Sequence, residues 1–285
     1  MEIGLIDVDS HNYPNLALMK ISAWEKSQGN HVEWWNGLKH YDRVYQAKVF
    51  DSTYTEDNPY VINADETIRG GTGYGLDNKL PDYIEHIYPD YSLYGITDTA
   101  YGFLTRGCPR HCAFCIVGDK EGLVSHKVAN LSEFWRGQKN INLLDPNITA
   151  CKDWKDLFQQ LIDSSAKVDF SQGLDVRVMT DEKAEMIKRI KVERVHLAWD
   201  RYEDKDIVVP KIKRFKEITG WHRSKIIVYT LTNFNTTFEQ DLERIYTLRE
   251  IGVDPYVTIY NRASLRNGHP LMRLLRWVNN RWVWW

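Results

Sequence analysis

The sequence predicts an α/β protein with parallel sheets, and three observations support this class. The chain opens with a strand–helix–strand pattern, in which EIGLID and HVEWW are apolar strands on either side of a segment with helical spacing. Six further apolar segments alternate with helical patterns later in the chain. A glycine-rich loop, GGTGYG, and a connector separate the two alternations. Strands that alternate with helices pair in parallel, as an open sheet or as part of a barrel.

The first elements form one predicted domain. Leu16, Met19 and Ala23 share one side of the first helix, and Gly29 follows as a helix C-terminal glycine. RVYQAKVF is a further strand, GGTGYG at 70–75 is a glycine-rich loop, and the chain then runs as a connector toward residue 95. We place the domain boundary near residue 92, so that the predicted domains are 1–92 and 93–285.

The second domain contains the longer alternation. Its predicted strands are YGFLT, INLLD, VDFSQGLDV, RVHLAWD, KIIVYTL and PYVTIY. Its predicted helices are CKDWKDLFQQLIDSSA, TDEKAEMIKRIK, VVPKIKRFKEITG and TFEQDLERIYTLREIG. In parallel sheets the chemistry gathers at the C-terminal ends of the strands. The loop after the first of these strands therefore lies at the predicted active edge.

Composition argues against several classes of protein, namely strongly charged binders of nucleic acid or lipid, membrane proteins and secreted disulfide-rich proteins. A net charge of −2 over 285 residues gives no overall attraction to nucleic acid or anionic lipid. No apolar run is long enough to span a membrane, and the N-terminus lacks the basic region of a signal peptide. The 4 cysteines, three of them clustered, do not resemble a secreted disulfide framework. We therefore expect a cytoplasmic protein.

The cysteine cluster is the most informative motif. Cys108, Cys112 and Cys115 have the spacing C-x3-C-x2-C in a loop rich in glycine and proline. A [4Fe–4S] cluster is usually held by four thiolates, so three thiolates leave one iron open to a small chelating molecule. One alternative is a four-cysteine electron carrier, although a complete barrel is more than an electron carrier needs. The other is a structural zinc site with His111 or Cys151 as fourth ligand. His111 adjoins Cys112, which strains joint ligation of one ion, and Cys151 reads as a core residue.

The stretch CPRHCAFC resembles the signature of the radical S-adenosylmethionine (SAM) superfamily, C-x3-C-x-aromatic-C, at Cys108, Cys112, Phe114 and Cys115. The resemblance covers roughly residues 98–262. It implies a (βα)6 partial TIM barrel, a [4Fe–4S] cluster and SAM bound to the open iron. It also implies reductive cleavage of SAM to a 5′-deoxyadenosyl radical that takes hydrogen from a substrate, with flavodoxin or ferredoxin as the low-potential electron donor.

The same resemblance implies SAM contacts at the strand ends beside Phe114. They are Asp145 and Asn147 after the second strand, Asp175 and Arg177 after the third, Asp200 after the fourth, Thr230 with Thr232 and Asn233 at the fifth, and Tyr260 at the sixth. The glycines that this family often carries at the fifth strand are absent. Asp145 and Asp200 could instead cap the following helices, and Arg177 could only pair with a neighbouring acid.

The N-terminal domain resembles the Rossmann-like cobalamin-binding domain of one radical SAM subgroup. Where that domain often has D-x-H-x-x-G, Asp9, His11 and Pro14 give D-x-H-x-x-P. We expect a degenerate domain in which cobalamin binding is not favoured. GGTGYG also departs from G-x-G-x-x-G, so it does not indicate a dinucleotide site.

The sequence thus predicts a radical SAM enzyme that acts on an unknown substrate. The alternatives are a cobalamin-dependent radical SAM methyltransferase and a non-catalytic iron–sulfur binding or sensing protein. Nucleic acid is not favoured as a partner, because basic runs of this kind are more often solvated helix faces. The run consists of Lys211, Lys213, Arg214, Lys216, Arg223 and Lys225. The tryptophan-rich end, RWVNNRWVWW, is expected to pack against the barrel or a partner.

Overall fold

The computed structural model describes residues 1–11, 13–57, 59–266 and 268–280. The chain divides into two compact units. The first comprises Met1–Gly102 with Ala129–Gln138, and the second comprises Phe103–Val128 with the described residues from Lys139 onward. Both contain parallel strands and helices, which confirms the predicted α/β class. The domain boundary near residue 92 stays a prediction.

The first unit is built on a four-stranded sheet. Its elements are β1 (Glu2–Asp7), α1 (Leu16–Ser27), β2 (His31–Trp34), β3 (Tyr41–Ala47), β4 (Ala64–Gly70), α2 (Asp82–Glu85) and β5 (Thr99–Gly102). The sheet order is β2-β1-β3-β4, and every neighbouring pair is parallel. Ile3, Leu5 and Leu18 form its core with Tyr45. The β1–α1–β2 crossover thus follows the pattern expected from the sequence.

The second unit begins with the cysteine loop and continues as alternating strands and helices. Its elements are β6 (Thr105–Arg106), α3 (Val117–Glu121), β7 (His126–Lys127), β8 (Asn140–Leu143), α4 (Trp154–Ser164), β9 (Lys167–Phe170), α5 (Asp181–Arg189), β10 (Val195–Ala198), α6 (Lys205–Thr219), β11 (Ile226–Thr232), α7 (Phe238–Ile251), β12 (Asp254–Ile259) and α8 (Pro270–Asn279). β6 and β7 form an antiparallel pair, whereas β8 with β9 and β10 with β11 and β12 pair in parallel.

Helices cover one face of these parallel strands. Val257 on β12 is 1% exposed and packs with Ile245 on α7 and with Leu271, Leu274 and Val278 on α8. The alternation of side chains along a strand places the neighbouring residues on the other face. Among the described residues, no helix combines the length and the apolar character needed to cross a membrane.

Several elements differ from the predicted ones. β4 and α8 had no predicted counterpart. The strand predicted over VDFSQGLDV ends at Phe170, residues 171–175 are neither helix nor strand, and a 3-10 turn follows at Val176–Val178. α6 begins at Lys205 and contains Pro210, whereas the predicted helix began at Val208.

The tryptophan-rich end is described only in part. Trp277, on α8, packs against the cluster around Val257 and lies 6.3 Å from the Tyr246 ring. The remainder of the predicted aromatic segment, residues 281–285, lies outside the described residues.

The glycine-rich loop after β4 is explained by close packing against the end of β3. Gly71 has a φ of +96°, and a Cβ at this position would lie 2.3 Å from the carbonyl oxygen of Lys48. A Cβ on Gly73 would lie 2.3 Å from the carbonyl oxygen of Phe50. These positions need glycine because the two backbone segments touch.

We expect Gly71→Ala to lower the free energy of unfolding by about 1–3 kcal/mol, since alanine is strained at this φ and its Cβ meets backbone. Gly70→Ala is the matched control, because a Cβ there meets nothing within 4 Å. Urea unfolding of both variants measures the difference. Equal stability of the two variants would contradict the close-packing explanation.

Candidate functional site

The cysteine loop has a defined backbone held by contacts within the second unit. The Cys108 amide donates to the Gly122 carbonyl at 3.1 Å, and the Cys115 amide donates to the Cys112 carbonyl at 2.9 Å. Gly107 has a φ of +80°, and a Cβ there would lie 2.2 Å from the Val124 carbonyl oxygen. The glycine before the first cysteine therefore lets the loop pass close to the segment that follows α3.

The three loop cysteines lie in one short loop and differ in exposure. All are free thiols, with Cys108 and Cys112 half-buried and Cys115 exposed. Burial raises the pKa of the Cys112 thiol and the charge of Arg177 opposes this, while Cys115, Asp200 and Cys108 raise it further. Because each of these charges acts on the Cys112 thiol, the three thiols and the two charged side chains occupy one region.

Asn147 and Asp175 join the ends of β8 and β9 to this loop. The Asn147 amide nitrogen donates to Cys108 Sγ at 3.4 Å and to Asp175 Oδ2 at 3.2 Å. Arg110, which lies between the first two cysteines, donates from Nε to the same Asp175 oxygen at 3.0 Å. An amide donor to a thiolate sulfur stabilises its charge, and such contacts tune a bound metal centre.

Arg177 extends the network toward Asp204. Its Nε donates to Asp175 Oδ1 at 2.8 Å, and its Nη1 donates to Asp204 Oδ2 at 3.2 Å. Burial alone would raise the pKa of Asp175, but its hydrogen bonds and charge interactions with Arg177 and Arg110 outweigh this and lower it. The Asp175 carboxylate is therefore ionised at neutral pH and shared by two guanidinium groups.

Asp200 follows β10 and contributes a second kind of carboxyl group. Burial raises its pKa to about 6, although the charges of Arg244 and Arg177 oppose the shift. The site thus holds one carboxylate with a lowered pKa and one carboxyl group with a raised pKa. Such a pair can bind an ammonium group and accept or hold a proton at neighbouring positions.

Asp145 anchors the chain just before the cysteine loop. It is 3% exposed and accepts hydrogen bonds from Thr105 Oγ1 at 2.6 Å and from the Leu104 amide at 3.2 Å. Burial raises its pKa to about 6, and these hydrogen bonds oppose the shift. Its described contacts are to β6 and the residue before it, so its observed role is to fix the start of the loop.

The sulfur atoms of the three loop cysteines do not all lie within 4.8 Å of one another. Among the described residues, the group of three ligand atoms within 4.8 Å of one another is Glu2, His31 and Glu33, which does not include the cysteines. A single zinc ion needs its ligands that close, whereas each thiolate of a cubane binds a different iron.

The Glu2, His31 and Glu33 group has a simpler explanation. The Lys39 ammonium donates to Glu2 Oε2 and to Glu33 Oε1, each at 2.7 Å. The lysine charge already satisfies both carboxylates, so this exposed group is an ion-pair network.

Aromatic rings flank the cysteine motif. Phe114 packs edge-on against Phe234 with a centroid distance of 5.2 Å, and Phe234 packs edge-on against Tyr260 at 4.9 Å. The Asn233 amide nitrogen also donates to the Tyr260 carbonyl at 2.9 Å. Two predicted residues, Phe114 and Tyr260, are thus joined through Phe234, which sequence reasoning missed although it lies in the motif TNFNTT.

Thr230 and Cys151 lie apart from this network. Thr230 is fully buried on the face of β11 that the helices cover, and its hydroxyl oxygen has no hydrogen-bond partner among the described residues. Thr232 is fully buried on the same face and donates to the Thr258 carbonyl at 3.0 Å. Cys151 is a free thiol and 1% exposed. The role predicted for Thr230 stays a prediction.

A buried arginine forms hydrogen bonds with carbonyl groups near the ends of two strands. Arg244 on α7 is fully buried and donates to the carbonyl oxygens of Trp199 at 2.7 Å, Asp200 at 2.9 Å and Leu231 at 2.7 Å. It also pairs with Asp241 at 2.5 Å. Sequence reasoning missed Arg244, since only an i, i+3 charge pair marks it on the helix.

The remaining candidate features have contacts within their own units. Asp9 is 2% exposed and accepts hydrogen bonds from the amides of Val49 at 2.7 Å and Phe50 at 2.8 Å, so it ties the end of β1 to that of β3. In the basic run, Lys211 donates to the Met179 carbonyl at 2.7 Å and Arg214 pairs with Asp181 at 2.7 Å. Cobalamin and nucleic acid binding stay unsupported by a described contact.

No protein-family model matches the sequence, and no curated protein matches it either.

The burial of the four thiols predicts their order of reaction. We expect iodoacetamide to modify Cys115 first in the native apoprotein and to modify Cys151 at least about a hundredfold more slowly, because a buried thiol reacts only through opening of the fold. Peptide mass spectrometry over a time course measures the rates, and unfolding in urea should equalise them. Rapid native modification of Cys151 would contradict its position in the core.

The raised pKa of Asp145 predicts a pH-dependent stability. Since the folded-state pKa is about 6 and lies above the unfolded value, the folded state binds the proton more tightly and loses stability as pH rises through this range. The loss is up to about 3 kcal/mol between pH 4 and pH 7.

We expect Asp145→Asn to remove the contribution of Asp145 to the pH dependence of the unfolding free energy. The contribution of Asp200, whose pKa is also about 6, remains in this variant. Urea unfolding of the apoprotein at several pH values measures how the unfolding free energy depends on pH. The exposed Asp163→Asn is the charge-matched control. An unchanged slope in Asp145→Asn would show that this carboxyl group does not change its pKa on folding.

Proposed function

We propose that the chain is a radical SAM enzyme, in which Cys108, Cys112 and Cys115 bind a [4Fe–4S] cluster. The observation that carries the proposal is the convergence of three thiols beside Asn147, Asp175, Arg177 and Asp200. When bound, the cluster would chelate SAM and pass on one electron from reduced flavodoxin or ferredoxin, which splits SAM into methionine and a 5′-deoxyadenosyl radical. The 5′-deoxyadenosyl radical so supplied would take a hydrogen atom from the substrate, giving 5′-deoxyadenosine and a substrate radical.

The chain's own groups have separate tasks in this proposal. Asn147 donates to Cys108 Sγ and so stabilises a thiolate ligand. Arg177 and the Asp175 carboxylate offer opposite charges for the carboxylate and ammonium groups of an amino acid such as the methionyl part of SAM. Phe114, Phe234 and Tyr260 supply apolar surface that limits water near the thiols.

We also propose the finer architecture that the resemblance implies. The parallel order β2-β1-β3-β4, with β1 inside the sheet, supports a Rossmann-like first domain. The consecutive parallel strands β8 with β9 and β10 to β12 support a partial (βα)6 barrel. A cytoplasmic location belongs to the same proposal, because an oxygen-sensitive cluster and free thiols suit a reducing compartment.

Anaerobic reconstitution with iron and sulfide, followed by dithionite and SAM, tests the proposal. We expect the wild type and Cys151→Ala to form 5′-deoxyadenosine and Cys112→Ala to form none, since only the second variant removes a ligand. Iron and sulfide content and product are measured on the same samples.

Two results would overturn the proposal. Four irons per chain without SAM cleavage would identify an iron–sulfur binding or sensing protein instead. Equal product from Cys112→Ala and the wild type would show that the cysteine loop does not hold the reactive centre.

A further inference from the structure

The face of the strands opposite the helices carries polar and aromatic side chains. Along β9, Val168 and Phe170 are 1% and 2% exposed, whereas Asp169 between them is exposed. Along β12, Val257 is 1% exposed and its neighbour Tyr256 is 41% exposed. Parallel sheets are usually apolar on both faces because helices cover both. This second face is therefore not built to receive another helix layer.

Three rings form a continuous cluster on this face. His196 on β10 stacks on Tyr229 of β11 with a centroid distance of 5.2 Å and an interplanar angle of 11°. Tyr256 on β12 packs edge-on against Tyr229 at 5.5 Å. The strand register supports the arrangement, because Tyr229 is directly opposite Tyr256. The edges and faces of these rings form one half-buried surface across three strands.

Asp169 adds a negative charge to this cluster. Its neighbour Phe170 packs edge-on against Phe158 of α4 at 6.3 Å, and Val168 on its other side bridges Val192 just before β10, so the Asp169 side chain lies on the face away from α4. Its charge also raises the pKa of the Tyr229 hydroxyl, for which burial is the largest cause and Tyr256 the next. The nearest lysine in sequence, Lys167, is paired with Glu193. Among the described residues, no lysine or arginine forms a salt bridge with Asp169. A carboxylate beside tyrosine rings attracts a cation, through charge and through the negative ring faces.

We propose that Asp169, Tyr229 and Tyr256 bind an organic cation, an alkylammonium or guanidinium group that forms one end of the substrate. This inference rests on the proposed function, because it takes the reacting centre to lie at the cysteine loop.

Cation binding is tested with simple probes on the anaerobically reconstituted full chain. Butylammonium and butylguanidinium chloride are titrated at constant ionic strength, with butyramide as the neutral control, and the tyrosine ring signals are followed by NMR after selective labelling. We expect a cation to shift the Tyr229 and Tyr256 signals and butyramide not to shift them. Preference for one cation identifies the nitrogen group that the substrate carries.

Two variants address the residues. Asp169→Asn is expected to weaken cation binding about fivefold, as an exposed charge pair does, and Tyr256→Leu is expected to weaken it by a similar factor. Asp163→Asn, on α4, makes the same change of net charge away from this face and should bind like the wild type. Equal binding of butyramide, or unchanged affinity in both Asp169→Asn and Tyr256→Leu, would overturn the inference.

The formation of 5′-deoxyadenosine by the same samples separates the two proposals. If the wild type cleaves SAM but no cation binds, the cation site is wrong and the proposed enzyme class stands. If a cation binds and SAM is not cleaved, the cation site stands and the proposed enzyme class is wrong. The site then serves another function.

Discussion

The carboxylate of Asp175 is the contact on which the arrangement of the site depends. It lies after β9 and accepts hydrogen bonds from Arg110 in the cysteine loop, Asn147 after β8 and its neighbour Arg177. Without it, Arg110 would lose this ion pair, and Arg177 would keep only its ion pair with Asp204. Asn147 would also lose the partner that directs its amide toward Cys108. One buried anion thus holds two strand ends and the loop in register.

Several parts of this arrangement could be predicted from sequence for a physical reason. The alternation of strands and helices predicted the α/β class. In each element the spacing of the apolar residues follows the helix or strand repeat, because one side must pack against the core. The family resemblance nominated Asn147, Asp175 and Arg177 after predicted strands, and the ends of parallel strands converge on one edge. Their contacts follow from that convergence. The cofactor roles assigned to them stay predictions.

Other parts had no signal in the sequence. β4 is exposed over most of its length and carries Asp65, Glu66 and Arg69, so it shows no apolar alternation and is held by backbone pairing with β3. Arg244 binds carbonyl oxygens of strands up to 45 positions away, and backbone acceptors leave no mark in a sequence. Thr230 was chosen by its position along β11, but the alternation of the strand turns its side chain toward the helices.

The contacts that anchor the cysteine loop do not depend on a bound metal. Asp145, Asp175, Gly107 and the Gly122 carbonyl hold the loop through protein groups alone. Small zinc-dependent domains, by contrast, unfold when their metal leaves. Loss of the proposed cluster to oxygen would therefore leave these contacts in place. Its reassembly would then need iron and sulfide but no refolding of the chain.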